Sequence, residues 1–157
     1  MRNSRENKIL IEVIKGRVRR MNRESLNEQL ELFIKKVHKQ YSIDFAYLFG
    51  SFATDRANGQ SDIDLAFKLK EKHNDKEEVL IKGNIIDLGI KYFDRRVDVV
   101  LLHTAPPQLK YEVIKSGLVL KDSPNRASFE SLTFREYFDF CYYSDIYNKA
   151  LIKRIQG

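Results

Sequence analysis

An α/β (α+β) fold, a small mixed sheet flanked by helices, is what this sequence predicts. Apolar positions recur at helical spacing in four segments, and short apolar runs that stop at glycine or polar turns lie between them as strands. The resulting order, helix, strand, turn, strand, helix, strand, helix, strand, helix, packs most simply as one sheet covered by helices. A chain of 157 residues, 43% hydrophobic and 32% charged with only 7 Gly and 3 Pro, has the balance of one folding domain. A large multidomain enzyme, a fibre and a disordered chain are all excluded.

The elements follow in order. Ser25 is an N-cap candidate with Glu28 at the capping-box position, and Leu26, Leu30, Phe33 and Val37 predict a helix over 25–40. Ile43 to Phe49 is short, apolar and aromatic and stops at Gly50-Ser51, as a buried strand does at a glycine turn. Asn58-Gly59 marks a turn before a second strand, Ser61 to Phe67, whose polar and apolar residues alternate at its start. Residues 75–93 read as a helix through Val79, Ile86, Leu88 and Ile90, although Gly83 and Gly89 weaken it. Arg95 to Leu102 is a third strand. Pro106-Pro107 opens a helix that stops at Gly117, Leu118-Val119-Leu120 is a short edge strand, and after Pro124 a long aromatic-rich helix closes the chain.

The formal net charge of +6 suggests a polyanion partner until it is located. Residues 1–20 hold seven Lys/Arg against Glu6 and Glu12, hence +5 of it, and the rest carries 21 basic against 20 acidic residues. A basic tail beside a nearly neutral body lacks the concentrated field that steers nucleic acid, so direct nucleic-acid binding is not expected. Residues 1–21 therefore divide off as a basic N-terminal extension, with Met21 a second plausible start, and 22–157 form the domain. Cys141 alone cannot close an internal disulfide, and neither a signal-peptide pattern nor an apolar run near 18 residues is present. A cytoplasmic protein without membrane contact is expected.

The chemistry lies in Gly50-Ser51 and Ser61-Asp62-Ile63-Asp64, a pattern of the form G-S-x10-D-x-D. Asp62 and Asp64, two apart on a strand, would project from one face, and carboxylates so close resist joint ionisation unless a cation neutralises them. Oxygen-only ligation completed by phosphates suits Mg²⁺. Asp98 interrupts the apolar run Val97 to Leu102, where a buried unpaired carboxylate would cost several kcal/mol, so a shared metal is its expected partner. Two Mg²⁺ about 3.5–4 Å apart would clamp the attacking and leaving oxygens of an in-line phosphoryl displacement. Gly50 would let the backbone approach a triphosphate, and the Ser51 hydroxyl with nearby N–H groups would hold phosphate oxygens, above all if a helix begins there. Neither Gly-x-Gly-x-x-Gly nor a Walker A pattern occurs, so no dinucleotide site or P-loop is expected.

These residues resemble the minimal nucleotidyltransferases of the DNA polymerase β-like superfamily, specifically the MNT antitoxins that pair with HEPN toxins. The resemblance runs through Leu48 to Ala53, Ser61 to Ala66, Val97 to Val100, Ala105-Pro106-Pro107 and Phe134 to Tyr137, about residues 22–145. It implies a nucleotidyltransferase fold and transfer of AMP from ATP onto a tyrosine hydroxyl of the cognate HEPN ribonuclease toxin, with pyrophosphate leaving. It places Gly50 and Ser51 on the nucleotide phosphates, Asp62 and Asp64 on the metals, and Asp98 as third ligand and base. Family members often carry Arg-Gly after the alanine, where this chain has Thr54-Asp55 and Arg56 one position later.

The blander readings stand beside these. His38 and His73 sit among charges and are expected to face solvent; Cys141 is expected in the core. Arg96 and His103 match a loose R-x6-H spacing, but an odd separation along a strand puts them on opposite faces. Arg95 and Arg96 read as a solvated strand end more readily than as phosphate ligands. Tyr137, Tyr142, Tyr143 and Tyr147 either pack the last helix or line a partner surface. Two rival functions remain: an antitoxin that acts by binding alone, and a nucleotidyltransferase acting on a small molecule such as an antibiotic.

Overall fold

A computed structural model describes residues 4–54 and 56–156; residues 1–3, Asp55 and Gly157 lie outside the described residues. The elements are α1 (Ser4–Tyr41), β1 (Ile43–Phe49), α2 (Gly50–Ala53), β2 (Ile63–Leu69), α3 (Asp75–Phe93), β3 (Val97–Leu101), α4 (Pro107–Ser116), β4 (Leu118–Lys121) and α5 (Arg126–Gln156). The strands form one mixed sheet in the order β3-β2-β1-β4. β1 runs antiparallel to β2 and β4, whereas β2 and β3 are parallel and joined through α3. A parallel pair needs such a long crossover, while the short α2 segment and a turn suffice between antiparallel strands.

Alternation along the strands sorts side chains onto two faces. Ile63, Leu65 and Phe67 of β2 and Val97, Val99 and Leu101 of β3 pack with Leu30, Phe33 and Val37 of α1 and Ile81 and Ile85 of α3. The opposite face is thinner: Phe45, Tyr47, Ala66, Val100 and Leu102 meet Val113 and Leu109 of α4 and Phe129 of α5. Burying a side chain such as Phe33 or Leu65 contributes about 1.5–3 kcal/mol, so the first face holds most of the stability. α5 is pinned near its start, where the Tyr47 hydroxyl donates to Glu130 at 2.6 Å and Arg126 donates to the same oxygen at 2.6 Å.

Several expectations change. The helix over 25–40 is the body-packed end of a 38-residue helix that passes through the 21/22 boundary without a break. β2 begins at Ile63, so Asp62 precedes the strand. α3 spans the expected 75–93 but rotates: Ile81, Ile85 and Gly89 face the body, while Val79 and Ile90 are exposed. Gly89 makes this possible, because a Cβ there would stand 3.1 Å from both Val97 methyls. Cys141 is exposed, not core, because α5 runs past the domain it starts on. The α5 tyrosines, left open between packing and a partner surface, divide: Tyr142, Tyr143 and Tyr147 are exposed, and Tyr137 stacks on Tyr111 at 3.8 Å. His38 is half-buried with its Nδ1 enclosed and unbonded, rather than solvated. Among the described residues, no helix is long and apolar enough to cross a membrane.

Candidate active site

β1 delivers the chain to a left-handed turn. Gly50 has φ +69, a conformation that costs an L-residue roughly 1–2 kcal/mol, and it opens the four-residue helix α2. Phe49 pairs with Asp64 across the antiparallel ladder, which brings the Asp64 carboxylate against Gly50. A Cβ at Gly50 would overlap Asp64 Oδ2 and stand 3.0 Å from Cγ. The glycine expected to make room for a triphosphate thus makes room for a carboxylate of its own site. Ser51 follows in the first turn of α2, whose amides receive no side-chain cap.

Asp64 and Asp98 are register partners on the parallel strands β2 and β3, and they share the face carrying Ala66 and Val100. Like charges placed directly opposite destabilise a sheet. Burial first, then the charges of Asp98 and Asp62, push the Asp64 carboxyl above its ordinary value. The expectation of a buried Asp98 is corrected: it is exposed on an edge strand, where Oδ1 accepts from the Val99 N–H at 2.8 Å. Asp62, in the loop before β2, lies with Oδ1 3.9 Å from Arg96 Nε. Its proximity to Asp64 comes from the turn and not from strand alternation.

A carboxylate whose ionisation is made costlier by two neighbouring acids suits a divalent cation, and an all-oxygen set suits Mg²⁺. Among the described residues no three His, Cys, Asp or Glu side chains already stand in a ligating arrangement. The donor types suit such a cation but are not gathered to hold one, so the side chains of Asp62 and Asp98 would have to turn toward it. Asp55, the family departure after Ala53 and Thr54, lies outside the described residues.

Arg95 is a residue that the sequence reading undervalued. Its Nη1 donates to the carbonyls of Asn58, Gly59 and Ser61 at 3.4, 3.2 and 3.2 Å, and its guanidinium lies 5.4 Å from the Phe52 ring centroid. The pairing of an arginine at a strand start with an Asn-Gly turn thirty-odd residues earlier has no local signal. His103 meets Glu78 of α3 through Nε2, so it ties the end of β3 to α3 and is remote in role from Arg96. An open cavity of about 400 Å³ lies there between α3 and the start of α4, lined by Glu78, Lys82, Val100 and Leu109, and none of the three acids lines it.

The model of the Polymerase beta, Nucleotidyltransferase family matches residues 33–126, more than half of the chain and the whole of the segment holding Gly50, Ser51, Asp62, Asp64 and Asp98. The chain belongs to the polymerase beta nucleotidyltransferase family. Solved structures share the fold of this nucleotidyltransferase. A chain of a toxin–antitoxin complex with AMP-PNP matches with TM-score 0.60 and 20% identity over 81% of this chain and 98% of that one. A chain from the complex of tri-AMPylated Shewanella oneidensis HEPN toxin with MNT antitoxin matches with TM-score 0.56 and 19% identity, covering 83% and 99%. A chain of the MntA-HepT toxin–antitoxin matches with TM-score 0.53 and 20% identity, covering 85% and 99%. No curated protein sequence gives a significant match.

Proposed function

We propose that this nucleotidyltransferase is the antitoxin of a HEPN/MNT pair and acts as a Mg²⁺-dependent protein adenylyltransferase. It moves AMP from ATP onto a tyrosine hydroxyl of the cognate HEPN ribonuclease toxin and releases pyrophosphate. The observation that carries the reading is the meeting of the Gly50 turn with Asp64 and Asp98 on an open face of a nucleotidyltransferase domain. The relatives that share the fold include one complex with AMP-PNP and one with an AMPylated toxin, and the chain spans nearly all of both matched chains.

Asp62, Asp64 and Asp98 would hold Mg²⁺, which when bound neutralises charge on the attacking and leaving oxygens of an in-line displacement. The Ser51 hydroxyl and the uncapped amides of the α2 turn hold phosphate oxygens. Asp98 takes the proton of the incoming hydroxyl, whose oxygen forms the new bond to the α-phosphorus as the bond to the pyrophosphate oxygen breaks. The exposure of Asp98 favours a macromolecular acceptor, since a small one is ordinarily enclosed in a walled pocket.

One observation favours neutralisation by binding alone: Asp62 lies beside Arg96, and the acids are not gathered as ligands. The deciding experiment is the intact mass of the adjacent gene's product after incubation with this protein, ATP and Mg²⁺, beside an Asp62→Ala control. A gain in whole AMP units that the control lacks is expected. No gain, with a stable complex that still silences the partner, transfers the conclusion to binding alone.

A further inference from the structure

We infer that Arg95 is the positioning residue of this site: it clamps residues 58–61 so that the Gly50-Ser51 turn and Asp62 keep a fixed relation to Asp64 and Asp98. The consequence for catalysis rests on the nucleotidyl-transfer reading above.

The segment between α2 and β2 has to bring Asp62 to Asp64 with little structure of its own. Its turn closes on itself through Asn58 N–H to Ser61 Oγ at 2.9 Å, Gln60 N–H to Asn58 Oδ1 at 2.9 Å and Ser61 N–H to Asn58 O at 3.2 Å. Such local bonds shape a turn without placing it. Placement comes from across the fold, where the Arg95 guanidinium donates to three carbonyls of that turn, those of Asn58, Gly59 and Ser61, 34 to 37 residues away in sequence. The same group lies against the Phe52 ring in α2, one residue after Ser51. One planar cation thus joins the helix that follows the phosphate-holding turn to the loop that ends in Asp62.

The next residue completes the attachment. The Arg96 carbonyl accepts from Ile63 N–H at 2.9 Å, and its guanidinium faces Asp62 at 3.9 Å. Arg95 itself is half-buried, so it is not the solvated strand end that its position suggests. Lysine would keep the charge but lose the flat contact with the Phe52 ring.

The test compares wild type, Arg95→Ala and Arg95→Lys by hydrogen exchange of peptides covering 56–62, by Mg²⁺-dependent thermal shift, and by AMP transfer. Arg95→Ala is expected to speed exchange in 56–62 about tenfold while α3 and β1 stay protected. It should also lose most of the Mg²⁺ shift and lower kcat about 100-fold, the usual cost of a misplaced site, with Arg95→Lys in between. Unchanged exchange in 56–62 overturns the inference, as does faster exchange with the Mg²⁺ shift and transfer intact, which would make Arg95 a structural staple only. If Arg95→Ala does not fold, Arg95→Lys decides by the same criteria. If wild type transfers no AMP, the functional reading fails, and the clamp still stands or falls on exchange and the Mg²⁺ shift.

Discussion

Gly50 and Asp64 occupy one another's space: the Asp64 carboxylate fills the volume that any side chain at position 50 would need. The two residues are fourteen apart in sequence and meet because Phe49 and Asp64 are antiparallel partners. A positive φ and a steric exclusion thus coincide at the residue that begins α2. Gly50→Ala should lower stability by about 1–2 kcal/mol from backbone strain alone. It should also abolish AMP transfer, because Asp64 must move. Thermal unfolding beside intact-mass transfer assays checks both, and an active Gly50→Ala enzyme would show that Asp64 has room to spare.

Asp64→Asn should stabilise the metal-free protein while abolishing transfer. The Asp64 carboxyl is raised by burial and by Asp98 and Asp62. Its contribution is therefore fully present below the unfolded pKa of about 3.9 and is lost as pH rises through the folded value. At neutral pH the ionised group opposes folding, by up to about 1 kcal/mol for like charges facing across strands, or about 2–4 °C in Tm. Calorimetry in chelator at pH 7 should show that rise, and added Mg²⁺ should stabilise wild type but not the variant.

Tyr47→Phe should cost about 1.5 kcal/mol at pH 7, the value of a hydrogen bond to a charged acceptor. Burial, then the hydrogen bond to Glu130 and its charge, hold the Tyr47 hydroxyl well above its ordinary value. The resulting stability is fully present below about pH 10 and is lost as pH rises through the folded value, because only the unfolded chain ionises readily. Urea midpoints should fall more steeply between pH 10 and 11.5 in wild type than in Tyr47→Phe. Parallel slopes would mean that Tyr47 ionises freely in the folded protein.

Deletion of residues 1–21 should leave Tm within about 2 °C and AMP transfer within a factor of about two. Among the described residues, those of α1 that pack on the core, Leu26, Leu30, Phe33, Ile34, Val37 and Tyr41, lie beyond that point. Ile11, Val13 and Ile14, upstream of it, are exposed. Loss of the cooperative transition on deletion would make the basic segment part of the folding unit.

Where each element lies follows from local rules. The helix at 75–93 carries its own capping box at Asn74 and Glu77, and the 107–116 helix has proline in its first turn and glycine after its end. Gly50, Asp64 and Asp98, which the structure brings together, stood out in the sequence because acids in an apolar strand and a glycine after one violate local preference. The same rules misjudged which way things face. Val79 and Ile90 read as the core side of α3, yet the helix turns to lay Gly89 on Val97, since closest approach to the sheet outweighs two exposed aliphatic side chains.

Cys141 was misjudged for a related reason, and Tyr142, Tyr143 and Tyr147 are exposed for the same one: periodicity reports an apolar stripe but not whether the domain extends far enough to cover it. Asp98 read as buried because β3 is apolar, and its exposure depends on β3 standing at the sheet edge. Strand order, the Gly50–Asp64 exclusion and the reach of Arg95 to Asn58, Gly59 and Ser61 all arise from contacts between segments distant in sequence. Propensity, capping and alternation act over a few residues and so place each element along the chain. The energies that pair strands and fasten loops act through space, and they set which residues meet.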